Sequence, residues 1–433
     1  MTTNNTMNKA QGFGLNLLTR FAASDLIDHL KMRKLLEKTL YHGSKSGFKL
    51  LESTARQFKP ASGTGQQRLP ATSKNLFDLS LTDEQQMMRD TVQRFASEVI
   101  RPIAHSADDQ ASFPAEIAAQ TQELGLLFYA LPESYGGVAN EQSVVSNVLI
   151  AEDLGHGDFS LAASILTPLS AANAITRWGT TEMQEKYLPA FAEETPLLAT
   201  FAILEATPAF NPNVLKTQAR QTDQGYLITG EKTLVVLGEQ ADVFLVAAML
   251  NSKPNIFVVE KHDTIGIRQN PAMGLKACQT VTLQFGNTPA ALLTDDDFDY
   301  QAFLDLGALS WCALAVGTCE AVKEYCITYA NERVAFGEPI SHRQSVAFMI
   351  ADMAIEIDAM RMLVWNAASL AEAGKPFHRE AYLARLLCKE KSMKIGNDGV
   401  QIIGGHGFTK EHPVERWYRD LRATAIMHSG LHA

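Results

Sequence analysis

Residues 196–293 switch periodicity, and that switch constrains the fold more than any other feature of the chain. Short alternating and β-branched runs appear there, bounded by turn residues: Gly225-Tyr226-Leu227-Ile228-Thr229-Gly230, Val243-Phe244-Leu245-Val246, Asn255-Ile256-Phe257-Val258-Val259 and Val281-Thr282-Leu283-Gln284-Phe285. Strand side chains repeat every two residues, so these runs predict a small β-domain. On both sides the apolar residues recur at helical spacing instead. Thr82 with Gln85 three residues on is a capping-box pattern, which starts a helix. Helical patterning then continues to about 195, broken by a turn at 132–137. Beyond the strands, amphipathic stretches near 303–332, 342–374 and 378–404 predict a helix bundle. The acidic run Asp295-Asp296-Asp297, with Asp299, reads as a solvated connection.

With 433 residues, 46% of them hydrophobic, the chain is too long for one ordinary core. The expected divisions are a basic helical extension and linker at 1–75, an α-helical domain at 76–195, a β-domain at 196–297 and a helix bundle at 298–433. A net charge of −10 argues against a nucleic-acid partner, whose footprint is a basic face. No uninterrupted run of 18 apolar residues occurs, so no membrane-spanning segment is expected. A secretory signal pattern is not visible either. The five cysteines form no CxxC pair, which suggests a reducing compartment and a cytoplasmic location, with no metal site expected. Cys312, Cys319 and Cys326 recur every seven residues, along one helical stripe. Free cysteine is among the most buried residue types, so that stripe predicts a helix interface.

Charge is concentrated at the start. Residues 1–75 carry twelve Lys and Arg against four acids, a balance of +8 that leaves −18 for the rest. An amphipathic pattern over 12–58 predicts helix, and 59–75 is a Pro-, Gly- and Ser-rich linker. Such a basic segment suits peripheral contact with an anionic membrane surface through residues 1–58, docking on a partner, or packing on its own body.

The order of elements, together with several motifs, resembles the acyl-CoA dehydrogenase family over residues 76–430. The motifs are Glu123-Leu124-Gly125-Leu126, Ala151-Glu152-Asp153-Leu154-Gly155, Trp178-Gly179-Thr180 and YLITGEK at 226–232. They continue with Arg333-Val334-Ala335-Phe336-Gly337, Gln344, Ala351-Asp352-Met353, QIIGGHG at 401–407 and VERWYRD at 414–420. The resemblance implies a mainly α fold with a central β-domain: an N-terminal helical domain, a small β-barrel domain and a C-terminal four-helix bundle. It implies FAD as cofactor, an acyl-CoA thioester as substrate and an electron-transfer flavoprotein as partner. It also implies an oligomer that shares its sites between subunits, either a homo-oligomer or a hetero-oligomer with another chain of the family. By resemblance Arg333, Phe336, Gln344, Gln401, Gly404 and Gly405 bind the nucleotide half of FAD. Thr280 and Asp305 fall at substrate-side positions.

The reactive half departs from the family pattern. Leu204 and Phe210 replace a hydroxyl and a serine, and Leu234 and Val236 replace a tryptophan and a threonine. Counting from Arg419-Asp420 places His428 where most members hold the catalytic glutamate. Counting back from Phe336 places Gly307 and Ala308 at the alternative glutamate and its arginine. Imidazole accepts protons near neutral pH, so His428 is the candidate base. Two readings follow. One is an FAD-dependent oxidoreductase that dehydrogenates an acyl-CoA between its α and β carbons. The alternative is a catalytically silent or weak member serving as partner subunit of a heteromeric dehydrogenase.

Overall fold

The computed structural model describes residues 80–138, 142–295, 297–427 and 429–433. The basic segment 1–58, the linker after it and His428 lie outside the described residues.

Thr82 caps α1 (Asp83–Phe95): its Oγ1 accepts from Gln85 N, and Gln85 Oε1 accepts from Thr82 N, both at 3.1 Å. A π-helical turn, Ala96–Ile100, leads into α2 (Arg101–Gln110). Then come α3 (Ala115–Leu124), α4 (Leu126–Ala130), α5 (Val144–Gly157), α6 (Phe159–Trp178) and α7 (Thr181–Tyr187). Gly125, at φ 74, separates α3 from α4, a left-handed position that suits glycine at a helix end. The alanine–leucine motif at 151–155 lies inside α5 and supplies two buried carboxylates. Glu152 accepts from Arg361 Nε (2.8 Å) and Trp365 Nε1 (2.9 Å), and Asp153 from both forks of Arg89 (2.8 and 2.7 Å). Buried carboxylates need such partners; the Glu152 contacts tie the N-terminal helices to the later bundle, and the Asp153 pair joins α1 to α5.

The β-domain comprises β1 (Ala199–Ala202), β2 (Gln218–Thr222), β3 (Gly225–Val235), β4 (Val243–Leu250), β5 (Lys253–Glu260), β6 (Ile265–Gln269) and β7 (Val281–Leu292). The hydrogen-bonded order β4-β2-β3-β7-β5 returns to β4, which closes a barrel; β1 pairs with β4 and β6 with β7. Alternation along β4 explains why its sequence is continuously apolar. Phe244, Val246 and Ala248 fill the barrel interior with Phe257, Leu283 and Phe285. Val243, Leu245 and Ala247 face the other way, into the core shared with the helices.

Asp299 caps α8 (Tyr300–Glu332), its carboxylate accepting from Ala302 N at 2.9 Å. A short hairpin, β8 (Val334–Ala335) and β9 (Glu338–Pro339), leads to α9 (Gln344–Glu372) and α10 (His378–Ile403). Two short helices, α11 (Val414–Leu421) and α12 (Ala423–Ile426), pack on α8 and α10 and complete the bundle. Cys312, Cys319 and Cys326 are all buried on α8, as free thiols. Two helices, α6 and α8, are long and apolar enough to cross a bilayer by length and composition. Their apolar windows are 89% and 94% buried inside the protein, so they serve as core helices.

Candidate functional site

The six nucleotide-side candidates gather at one end of the bundle. Arg333 caps the C-terminus of α8, its backbone N donating to Tyr329 O at 2.8 Å. The β8–β9 turn places Phe336 (φ 54) and Gly337 (φ 84) in the left-handed region, and Phe336 projects outward at 96% exposure. Arg343 covers that ring, with its guanidinium carbon 5.7 Å from the centroid. Gln344 opens α9, and Gln401 lies in the last turn of α10. Tyr329 Oη donates to Ile403 O at 3.3 Å, tying the last turn of α8 to the last turn of α10. Gly404 follows with φ 66 and ψ −136, a conformation open essentially to glycine alone. A Cβ on Gly404 or Gly405 would meet nothing within 4 Å, so the backbone there is open to a ligand.

Arg333, Gln344 and Gln401 are all exposed. Among the described residues their side chains have no hydrogen-bond or ion-pair partner. A guanidinium free of internal carboxylates is available to a phosphate, which its fork matches. The donor set on this end therefore fits the diphosphate half of a dinucleotide.

The reacting side is built differently. Leu204 and Val236 are buried, and Thr200 Oγ1 donates to Val236 O at 2.7 Å. Leu234 sits at φ 53, held by its N–H donating to Asn270 Oδ1 at 3.2 Å. Asn270 Nδ2 donates to Thr282 Oγ1 at 2.8 Å, and Thr282 pairs with Thr233 at 3.0 Å. These polar groups satisfy one another. Phe210 packs, half-buried, against the main core.

Gly307 and Ala308 are buried on α8, and Gly307 faces Ser429 and Leu431. A Cβ on Gly307 would lie 2.5 Å from Ser429 Oγ and 2.8 Å from Leu431 O. Trp311 Nε1, one turn along, donates to Ser429 O at 3.1 Å. The α8 position singled out for a base thus meets Ser429 and Leu431 of the C-terminal segment. Sequence spacing alone did not reveal that contact. No carboxylate occupies it among the described residues. The next segment is buried too: His432 Nε2 accepts from Trp178 Nε1 at 2.8 Å. Burial, with Arg177 nearby, pushes His432 down to about 3, so the ring is neutral.

Thr280 and Asp305, the substrate-side candidates, do not meet the nucleotide-side set. Thr280 is buried just before β7, its carbonyl accepting from Asn270 N at 3.0 Å. Asp305 accepts from His378 Nδ1 (2.7 Å) and Gln301 Nε2 (3.0 Å). Burial raises its pKa, against the lowering effect of His378. Its carboxylate is already engaged within the fold.

Sequence reasoning missed a buried ion pair beside the reacting side. Lys232 is fully buried, with Nζ 2.9 Å from Glu205 Oε1 and 3.1 Å from Ile203 O. Glu205 also accepts from the backbone N–H groups of Lys216 (2.8 Å) and Thr217 (2.9 Å). Burial lowers Lys232 to about 8 despite Glu205. The signal was present: Lys232 breaks an otherwise outward-polar alternation in the run at 226–232. The run at 414–420 likewise proves to be a set of structural ties. Arg416 Nε binds Asp158 (2.8 Å), and Arg419 forks onto Asp108 (3.0 and 2.7 Å). Asp420 accepts from Leu275 N (2.7 Å) and Ser160 Oγ (2.9 Å); burial, then Asp158, lifts it to about 7.

Two cavities border the β-domain. One of about 100 Å³ lies between the β-domain and the last helices, lined by Leu234, Met273, Leu275, Arg422, Ile426 and Met427. A larger one, about 430 Å³, opens between α3, α6 and the β-domain, and none of the candidate residues lines it.

Residues 82–195 match the family described as acyl-CoA dehydrogenase, N-terminal domain, and residues 300–430 match acyl-CoA dehydrogenase, C-terminal domain. A probable acyl-CoA dehydrogenase of Bacillus subtilis is 32% identical over 370 residues, covering 81% of this chain and 95% of that protein. A short-chain specific acyl-CoA dehydrogenase of Megasphaera elsdenii is 31% identical, covering 81% and 95%. Among solved structures, butyryl-CoA dehydrogenase from Megasphaera elsdenii superposes with a TM-score of 0.74 at 30% identity, covering 82% of this chain and 96% of that one. A chain from work on the electron transferring flavoprotein of Acidaminococcus fermentans does so at 0.75, also with 30% identity and the same coverage.

Proposed function

The chain belongs to the acyl-CoA dehydrogenase family, and on that premise we propose that it oxidises an acyl-CoA thioester and passes electrons to an electron-transfer flavoprotein. FAD is the cofactor. The observation that carries this reading is the exposed donor set of Arg333, Gln344 and Gln401, without side-chain partners among the described residues and gathered at one end of the bundle around Gly404 and Gly405.

Bound FAD supplies the acceptor for the hydride leaving the β carbon. The guanidinium of Arg333 would hold a phosphate of the cofactor, with the amides of Gln344 and Gln401 as further donors. Gly404 and Gly405 let the backbone approach without steric conflict. On the reacting side, Leu204 and Val236 present apolar surface that excludes water. His428 is the proton acceptor we assign to the α carbon, because by count from Arg419-Asp420 it falls where the family carries its glutamate. Neutral imidazole is a common proton acceptor in catalysis.

The same donors serve a neighbouring subunit, because they stand on an outward face. That face continues as an exposed apolar stripe on α9, with Phe348, Ile355 and Met362 at seven-residue intervals. A second copy of the chain, or a related chain, covers it in this reading.

A second reading is favoured by one observation, the absence of a carboxylate where Gly307 meets the segment after His428. There the chain completes a neighbour's nucleotide site and is itself silent. Anaerobic addition of acyl-CoA thioesters to the purified protein separates the two. Bleaching of the flavin band that is lost in His428→Gln supports the oxidoreductase. A flavin band that no acyl-CoA of any length bleaches supports the silent subunit. Equal bleaching in His428→Gln removes His428 from the mechanism.

A further inference from the structure

The loop after α10 brings together residues that the sequence did not single out. His406, Glu411 and His412 each offer a ligand atom, and those atoms all lie within 4.8 Å of one another. We propose that these three side chains bind one divalent late transition metal, with zinc as the ion that suits them.

Donor chemistry supports this. Two imidazoles and one carboxylate make a known zinc set, with a fourth position left to water. Zinc bonds of about 2.0–2.2 Å place neighbouring donors about 3.3–3.5 Å apart in a tetrahedron. Donors already within 4.8 Å need only small side-chain rotations to close on the ion. His406 and Glu411 are exposed and free to make them.

The third ligand is the anchored one. His412 is half-buried, and its Nδ1 lies 2.6 Å from Tyr325 Oη. That contact leaves Nε2 as the nitrogen available to a metal. A ligating histidine commonly has its second nitrogen held by such an outer partner, which fixes the ring and its tautomer. The plane is fixed further by edge contacts with Tyr325 (5.9 Å between centroids) and Tyr329 (5.5 Å). His406 is held nearly parallel to it, at 5.7 Å and 23°. Its carbonyl accepts from Thr409 N (3.0 Å) and Thr409 Oγ1 (2.8 Å), which closes the turn between the two histidines. All three donors therefore rest on a braced loop.

The position gives the ion a consequence. Gly404 and Gly405 immediately precede His406. A metal joining 406 to 411 and 412 cross-links the loop that carries those two glycines. It does so without touching the reacting side. The inference stands independently of the proposed oxidation, since its readout is binding.

The test is titration calorimetry of the full chain, stripped of metal, with zinc chloride. One zinc per chain is expected, at micromolar affinity or tighter, with the melting temperature rising on binding. His406→Gln and His412→Gln each weaken binding at least tenfold, and Glu411→Gln weakens it as well. Tyr325→Phe, which leaves all three ligands in place, weakens it several-fold. Magnesium, which prefers oxygen donors, gives no heat. The five cysteines are buried and do not compete. Absence of zinc binding by the unaltered chain overturns the proposal. So does zinc binding that persists unchanged in the double histidine variant, or magnesium binding of equal strength.

Discussion

At the outer end of the bundle, Arg333, Gln344 and Gln401 hold polar groups in solvent with no partner among the described residues. At the junction with the β-domain, Leu204, Val236, Gly307 and Ala308 are buried and carry no side-chain donor or acceptor. The polar groups that do lie near that junction, on Thr233, Asn270 and Thr282, already satisfy one another. The contrast teaches how to separate residues kept for a ligand from residues kept for the fold. Charge that the fold needs is buried and paired, as at Lys232–Glu205. Charge left exposed and unpaired contributes little to folding, so its value lies in what arrives from outside.

Breaking the paired charge gives the largest expected effect. Lys232→Met strands the buried Glu205 carboxylate, and removing one partner of such a pair costs about 3–5 kcal/mol. Urea denaturation at neutral pH measures it. Adding Glu205→Leu to the same chain should recover part of the loss. A loss under 1 kcal/mol in the single variant would mean that this pair is not the fold's anchor beside the reacting side.

Gly307→Ala comes next. Its new methyl would meet Ser429 Oγ at 2.5 Å and Leu431 O at 2.8 Å. Overpacking of this kind costs about 1–3 kcal/mol. The same denaturation curve reads it, and an unchanged midpoint would show that residues 429–431 yield easily.

The pH effect of His432 is of similar size, about 2 kcal/mol between pH 7 and pH 5. Its folded pKa, about 3, lies below the unfolded value of about 6.5. Between these values the unfolded chain binds a proton that the folded chain does not, so stability is complete above about 6.5 and falls as pH falls toward 3. His432→Gln should lose less stability than the unaltered chain between pH 7 and pH 5. Parallel loss in both would assign the acid sensitivity to other groups.

Much of this architecture was legible in the sequence. The bundle stretches near 303–332, 342–374 and 378–404 became Tyr300–Glu332, Gln344–Glu372 and His378–Ile403, because long amphipathic periods leave little choice of element. The cysteine stripe on α8 was legible for the same reason. Closure of the barrel was legible only through the family resemblance and not from periodicity, since β4 pairs with β5 locally but with β1 and β2 across long stretches of chain. The meeting of Gly307 with Ser429 was not legible, since it depends on how the last residues fold back on α8. Motif order picked out the nucleotide-side candidates, but only the structure shows Arg333, Gln344 and Gln401 at one end, with no side-chain partner among the described residues. His406, Glu411 and His412 carry no familiar spacing, and only the braced turn brings them together.

The account stands or falls on whether the exposed end of the bundle grips a nucleotide. The direct measurement is the flavin-to-chain ratio, by visible absorbance, of the purified protein and of its Arg333→Ala variant. The account predicts a ratio near one for the unaltered chain. For the variant it predicts unchanged folding stability and FAD affinity about 10–100-fold weaker, as expected when charged hydrogen bonds worth about 1.5–3 kcal/mol are removed. Equal flavin content and equal affinity in the two proteins would contradict it.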